Sequence, residues 1–202
     1  MAALKALFLD LGGVLVTVDL AAGCRRIACL AGGADPAAVL RVMTDGLQAR
    51  LSTGNMSPAE FHEAVCSRLE LKVGYADFAR AYSDIFAPIQ GTWDLLAQAR
   101  KRFRIHLLSN TDPLHFRFIA DELFPGKFEM FRHLVLSYEV GHLKPGSEIY
   151  RHALELCGAP PEACLFVDDL AGNVEGARAV GMRGIVFQSP EQLAVELVRA
   201  AW

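Results

Sequence analysis

Four short stretches hold the residues whose types and spacing can do chemistry: Asp10 in "LFLDLGGVLV", Ser109-Asn110 in "LLSNTD", Lys144 in "LKPGSEIY" and Asp168-Asp169 in "LFVDDLAGN". Taken singly, each has a structural explanation, since strand-end Asp, Ser and Asn commonly cap turns and helices. The acidic pair is harder to dismiss, because adjacent carboxylates repel unless something cationic offsets them. Together they suit phosphoryl transfer. Asp10 would be a carboxylate nucleophile that attacks phosphorus and forms an aspartyl-phosphate. Mg²⁺, a hard cation that takes oxygen ligands, would sit between Asp10 and the Asp168-Asp169 pair. Lys144 would neutralise phosphate and nucleophile, and Ser109 would donate to a phosphate oxygen. Gly12 and Gly13 would let the backbone turn sharply and bring its amides to the ligand.

The elements that must position these residues are legible as apolar runs. Leu4–Leu9, Ile105–Leu108, His133–Leu136, Cys164–Val167 and Gly184–Phe187 read as buried strands of a parallel sheet covered on both faces. Helical spacing marks Trp93–Lys101, Leu114–Leu123, Ser147–Leu156 and Gly172–Val180 between them, the alternation of an α/β fold. Residues 17–87 show no strand-like run, but two helix starts: Ser57-Pro58 with Glu60 as a capping box, and Asp35-Pro36. That length far exceeds an ordinary crossover, so residues 17–87 are expected to form an inserted helical bundle and residues 1–16 and 88–202 the α/β core. Ligands of open α/β sheets gather at the carboxyl ends of the strands. Asp10, Ser109-Asn110 and Asp168-Asp169 all fall there, with Lys144 just beyond the third run.

Composition sets limits on partners. The chain has 202 residues, enough for one domain with a modest insertion, and its formal charge of −3 with no dense Lys/Arg block argues against a nucleic-acid partner. No apolar stretch is long enough to span a membrane, and no signal peptide is recognisable at the start. The five cysteines contain no C-x-x-C and read as small packing residues in a reducing, cytoplasmic setting.

In order and spacing these motifs resemble those of the haloacid-dehalogenase-like hydrolase superfamily: "FLDLGGVLV", "LLSNTD", "LKPGSEIY" and "LFVDDLAGNVEGARAVGM" look like its motifs I to IV. The resemblance implies a Rossmann-like three-layer core of strand order 5-4-1-2-3 with residues 17–87 as a C1-type helical cap. It implies Asp10 as nucleophile with Lys144 beside it, and Leu11, Gly12, Ser109, Asn110 and Lys144 around the phosphate. It also implies Mg²⁺ on Asp10, Asp169, the Gly12 carbonyl and, directly or through a neighbour, Asp168. Asn173 falls where some members carry another acid. The implied activity is a Mg²⁺-dependent phosphatase acting on a small phosphorylated metabolite, and the context of Gly12 is similar to a subgroup acting on glucose 1-phosphate.

One position departs from the pattern. Most phosphatases of this superfamily carry a general acid two residues after the nucleophile, where this chain has Gly12. General acid–base catalysis contributes roughly 10²–10⁴ in rate, about 3–5 kcal/mol of barrier. Its loss fits a substrate whose leaving group needs little protonation, such as a sugar 1-phosphate. It also keeps two alternatives open: a 2-haloacid dehalogenase, whose relatives lack that acid too, and a non-catalytic interaction protein on the same fold. A dehalogenase needs no metal and would leave Asp168-Asp169 unbalanced; it also needs an arginine near the site, and Arg25 and Arg26 lie only in the insert. A receiver-type signalling domain places its acidic pair at the first strand, the reverse of the order here. Asp19, Asp112, His115 and His142 are expected to cap or pack rather than replace the acid. Trp93, Phe86 and Arg50 are candidates for lining the pocket, with core packing or surface charge the expected role of each.

Overall fold

β1 (Ala6–Leu9) reads ALFL, and all four of its side chains are fully buried, as a strand covered on both faces requires. In the computed structural model, which describes residues 3–200, the elements that follow are β2 (Val16–Val18), α1 (Leu20–Leu30), α2 (Pro36–Val42), α3 (Gln48–Ser52), α4 (Pro58–Leu69), α5 (Tyr75–Ser83), β3 (Phe86–Pro88) and α6 (Gln90–Ala99). The remainder are β4 (Arg104–Ser109), α7 (Pro113–Arg117), β5 (His133–Leu136), α8 (Ser137–Val140), α9 (Ser147–Cys157), β6 (Cys164–Asp168), α10 (Ala171–Ala179), β7 (Arg183–Val186) and α11 (Pro190–Ala200). The main sheet has the order β5-β4-β1-β6-β7, and every pairing in it is parallel. Numbered among these five strands alone, that is the expected order 5-4-1-2-3 read from the opposite edge.

Alternate residues of β1 point to opposite layers. Leu7 and Leu9 pack with Leu107, Val167, Trp93 and Leu193 on the face covered by α6 and α11. Ala6 and Phe8 pack with Leu108, Phe166, Ile149 and Tyr150 under α9 and α10. Trp93 is a core residue, its indole N–H donating to the Leu15 carbonyl at 3.0 Å.

The helices between β2 and β3 enclose a separate apolar cluster that includes Ile27, Met43, Leu51, Phe61, Phe78 and Tyr82. Their starts follow the expected chemistry. Ser57 and Glu60 close a reciprocal capping box on α4, with Pro58 at its first turn, and Asp35 caps α2. Asp19 caps α1, accepting from the Ala22 N–H at 2.9 Å.

Some expectations are corrected. Residues 17–87 are not free of strands: β2 reaches Val18 and β3 begins at Phe86, and the two pair antiparallel as a short ribbon where the chain enters and leaves the helical insert. Three-residue strands are too short to give a periodic signal. The run expected at Gly184–Phe187 pairs one residue earlier, over Arg183–Val186. The single helix expected over Leu114–Leu123 is α-helical to Arg117 and then widens to a π-helical turn over Phe118–Leu123. All five cysteines are free thiols, and no helix among the described residues is long and apolar enough to cross a membrane.

Candidate active site

Parallel pairing brings the carboxyl ends of β1, β4 and β6 side by side, and with them Asp10, Ser109 and Asp168. Asp10 follows β1 and is fixed to β6 by its own N–H, which donates to the Val167 carbonyl at 2.9 Å. Lys144 arrives from the loop before α9. Its main chain is clamped by the Asn110 side chain, which accepts from the Lys144 N–H at 2.8 Å and donates to its carbonyl at 2.9 Å. That grip aims the lysine inward, over the Phe166 ring, to an almost fully buried position. There Nζ lies 2.9 Å from Asp10 Oδ1 and 2.7 Å from Asp168 Oδ2.

The acids are not equivalent. Asp168 is fully buried and its oxygens are already occupied. They accept from Lys144 Nζ, from the Leu170 N–H at 2.8 Å and from Asn173 Nδ2 at 3.0 Å to each oxygen. Asn173 thus serves as a neutral donor that orients Asp168. Asp169 is exposed, and its carboxylate accepts from its own backbone N–H. Oxygens from Asp10, Asp168 and Asp169 come within 4.8 Å of one another. That all-carboxylate oxygen set fits a hard divalent cation such as Mg²⁺, with Asp10 and Asp169 the freer ligands.

The electrostatics agree with that fit. Burial pushes the Asp10 carboxyl up, Lys144 pulls it back and Asp168 pushes it up again, leaving it at about 6. Asp169 is raised as well, by burial and then by Asp168. Carboxylates held above their ordinary range by burial, and then by a neighbour's charge, are relieved by a cation. Asp10 Oδ1 accepts from the Leu11 N–H at 2.7 Å as well as from Lys144, which leaves Oδ2 without a hydrogen bond among the described residues.

Two residues expected around a phosphate have other partners. The Leu11 N–H is engaged with Asp10, and the Asn110 side chain is engaged with the Lys144 backbone. What Asn110 can offer an anion is therefore main chain. Ser109, Asn110 and Gly12 line a cleft beside the acids, between the sheet edge and the insert.

Acids that could replace the one missing at Gly12 are committed elsewhere. Asp19 is exposed, capping α1 and pairing with Arg25. Asp112 is buried and saturated. It caps α7 through the Leu114 and His115 N–H groups at 3.0 Å, and it accepts from the Tyr82 hydroxyl at 2.9 Å. His115 Nδ1 lies 2.9 Å from Asp112, and its Nε2 lies 3.1 Å from the Tyr82 carbonyl. Burial alone would raise Asp112, but His115 and these hydrogen bonds hold its carboxyl below the ordinary value. Because Tyr82 belongs to α5, this cluster fastens the insert to the core. Nothing in the sequence signalled it, since an aromatic at helical spacing reads as plain packing. His142 and Arg50 are exposed on the surface.

Where a side chain at position 12 would begin, the structure has Val18: a Cβ there would lie 3.3 Å from Val18 Cγ2. No arginine is among the described residues lining the cleft. Arg26 lies instead in a separate groove of the insert with Asp77, Arg80 and Asp84.

A family model described as haloacid dehalogenase-like hydrolase matches residues 4–181. Among curated proteins, D-ribitol-5-phosphate phosphatase of Bacteroides thetaiotaomicron is 26% identical over 184 residues, covering 88% of this chain and 89% of its own. Flavin mononucleotide hydrolase 1 of Arabidopsis thaliana is 30% identical over 113 residues, covering 55% of this chain and 45% of its own. The crystal structure of a haloacid-dehalogenase family enzyme from B. thetaiotaomicron, complexed with magnesium and inorganic phosphate, superposes with a TM-score of 0.85 at 26% identity, over 93% of this chain and 96% of that one. The L-2-haloacid dehalogenase of Xanthobacter autotrophicus shares the fold at a TM-score of 0.64 and 23% identity, over 97% of this chain and 83% of that one. With the model match spanning most of its length, this chain belongs to the haloacid dehalogenase-like hydrolase family.

Proposed function

We propose that the protein is a Mg²⁺-dependent phosphatase that hydrolyses a small phosphorylated metabolite of the sugar-phosphate kind through an aspartyl-phosphate on Asp10. The observation that carries this reading is the buried Lys144 bridging Asp10 and Asp168, with the exposed Asp169 offering a carboxylate oxygen within 4.8 Å of both acids. In it Asp10 Oδ2 attacks phosphorus, the bond from phosphorus to the ester oxygen breaks, and the electron pair leaves on that oxygen. Water then cleaves the acyl-phosphate and restores the carboxylate. Lys144 keeps Asp10 oriented and offsets charge on the phosphoryl group, while Ser109 offers its hydroxyl. Mg²⁺, held by Asp10, Asp169 and the Gly12 carbonyl, would supply positive charge to the transferring oxygens.

Dehalogenation is the weaker reading, because the three carboxylates call for a cation and the cleft has no described arginine for a substrate carboxylate. The nearly full-length similarity to a D-ribitol-5-phosphate phosphatase supports a polyhydroxy phosphate ester. With Gly12 in place of a general acid, and Asp19 and Asp112 committed elsewhere, the leaving oxygen departs unprotonated, which favours anomeric over primary-alcohol esters. The test compares wild type and Gly12→Asp, with Mg²⁺ or EDTA, on an anomeric phosphate and on the phosphate of a primary alcohol. The wild type should turn over only with Mg²⁺ and prefer the anomeric ester, and Gly12→Asp should narrow that preference. Metal-independent turnover, or the same preference in both proteins, contradicts the reading.

A further inference from the structure

The cleft beside Gly12, Ser109 and Asn110 holds about 150 Å³, well below the roughly 300–1,000 Å³ of sites for drug-sized ligands. The insert contributes Val18, Leu20, Ile85 and Phe86 to its wall, all apolar, and a single polar side chain, Gln48. The core contributes His115, but both of its ring nitrogens are already engaged by Asp112 and the Tyr82 carbonyl. No Lys, Arg, Asp or Glu is among the described residues lining this space. A second charge brought into it would lose water without gaining a partner, which is costly.

Gln48 is held in place by a break in the insert. After α2 the chain passes through a wide turn over Met43–Leu47, where Gly46 takes φ +80°, and Gln48 opens α3. Leu47 and Leu51 anchor that turn in the insert's apolar cluster. The Gln48 amide donates one N–H to the Tyr82 hydroxyl, whose own proton is given to Asp112, so its carbonyl and second N–H are what it can offer a ligand. A primary amide offers both donor and acceptor atoms, the match for a hydroxyl, which is also both.

We infer that Gln48 selects the leaving group. It hydrogen-bonds a hydroxyl of a small, uncharged, polyhydroxy leaving group of pentose size, and the apolar wall rejects leaving groups that carry a second charge. This rests on the phosphatase reading above, and the experiment separates the two. kcat/KM is measured with Mg²⁺ on acetyl phosphate, ribose 1-phosphate and ribose 1,5-bisphosphate for wild type, Gln48→Leu, Gln48→Asn and Gln48→Lys, each checked for folding by thermal unfolding. Wild type should favour ribose 1-phosphate over the bisphosphate by about tenfold or more. Gln48→Leu should lower the ratio of ribose 1-phosphate to acetyl phosphate by roughly 3- to 10-fold, the worth of one hydrogen bond. Gln48→Asn should give an intermediate ratio, and Gln48→Lys should shift preference toward the bisphosphate. An unchanged ratio in Gln48→Leu, or a wild type that prefers the bisphosphate, overturns the inference. No wild-type hydrolysis of acetyl phosphate overturns the phosphatase reading itself, and this inference with it.

Discussion

At Gly13 the main chain takes φ +71°, and a Cβ built there would lie 2.3 Å from the Asp169 carboxylate. A side chain at this position must displace the acid that is freest to hold a cation, and it must do so from a backbone region that L-residues avoid. Gly12, one residue earlier, would bring a Cβ only to 3.3 Å from the end of Val18. The two adjacent glycines therefore have different jobs. Gly13→Ala should reduce Mg²⁺-dependent turnover roughly 10²-fold, the scale of a misplaced catalytic group, and raise the Mg²⁺ concentration needed for half-maximal rate. Gly12→Ala should lose far less, and steady-state kinetics across a Mg²⁺ titration reads both. The sequence marked the pair as a turn near the acids. It could not say which glycine faces Asp169, because that contact joins two loops more than 150 residues apart.

The insert meets the core along the β2–β3 ribbon and through α5 against α7. In the second contact Tyr82 donates to a buried Asp112 and stacks on His115 at a centroid distance of 4.1 Å. Tyr82→Phe keeps the ring and removes one hydrogen bond to a buried carboxylate, so it should lower unfolding stability by about 1.5–3 kcal/mol. Denaturant melts measure the loss. An unchanged midpoint would show that the contact carries little of the attachment. At this scale the strands and helices of the core were readable because each presents a full apolar run or face. The ribbon and the Tyr82–Asp112–His115 cluster were not, since three-residue strands lack a period and a buried aromatic looks the same whether or not its hydroxyl has a partner.

Across the whole molecule, the sheet positions the acids and Lys144, and its titratable groups that the chemistry does not use include a buried histidine. His106, on β4, is fully buried, stacks on Phe8 at 4.6 Å, and has no hydrogen-bond partner for either ring nitrogen among the described residues. Burial, then the nearby His133, Arg104 and Arg132, lower its pKa from 6.5 to about 4. In that interval the unfolded chain binds a proton that the folded one refuses. The titration of His106 therefore costs nothing above pH 6.5 and destabilises progressively as pH falls toward 4, by on the order of 3 kcal/mol in total. His106→Phe should remove that contribution, so the stability of the variant relative to wild type should grow on acidification; parallel pH profiles would refute the assignment. The overall architecture followed from the order of apolar runs and the chemistry at their ends, whereas the walls of the cleft, Gln48 among them, come from an insert whose placement only the fold supplies. The central claim is Mg²⁺-dependent hydrolysis through Asp10, and the most direct test is phosphate release from acetyl phosphate by wild type and Asp10→Asn, with Mg²⁺ and with EDTA. Turnover by wild type with Mg²⁺, abolished by either EDTA or Asp10→Asn, is the predicted result, and turnover that survives Asp10→Asn or EDTA would contradict it.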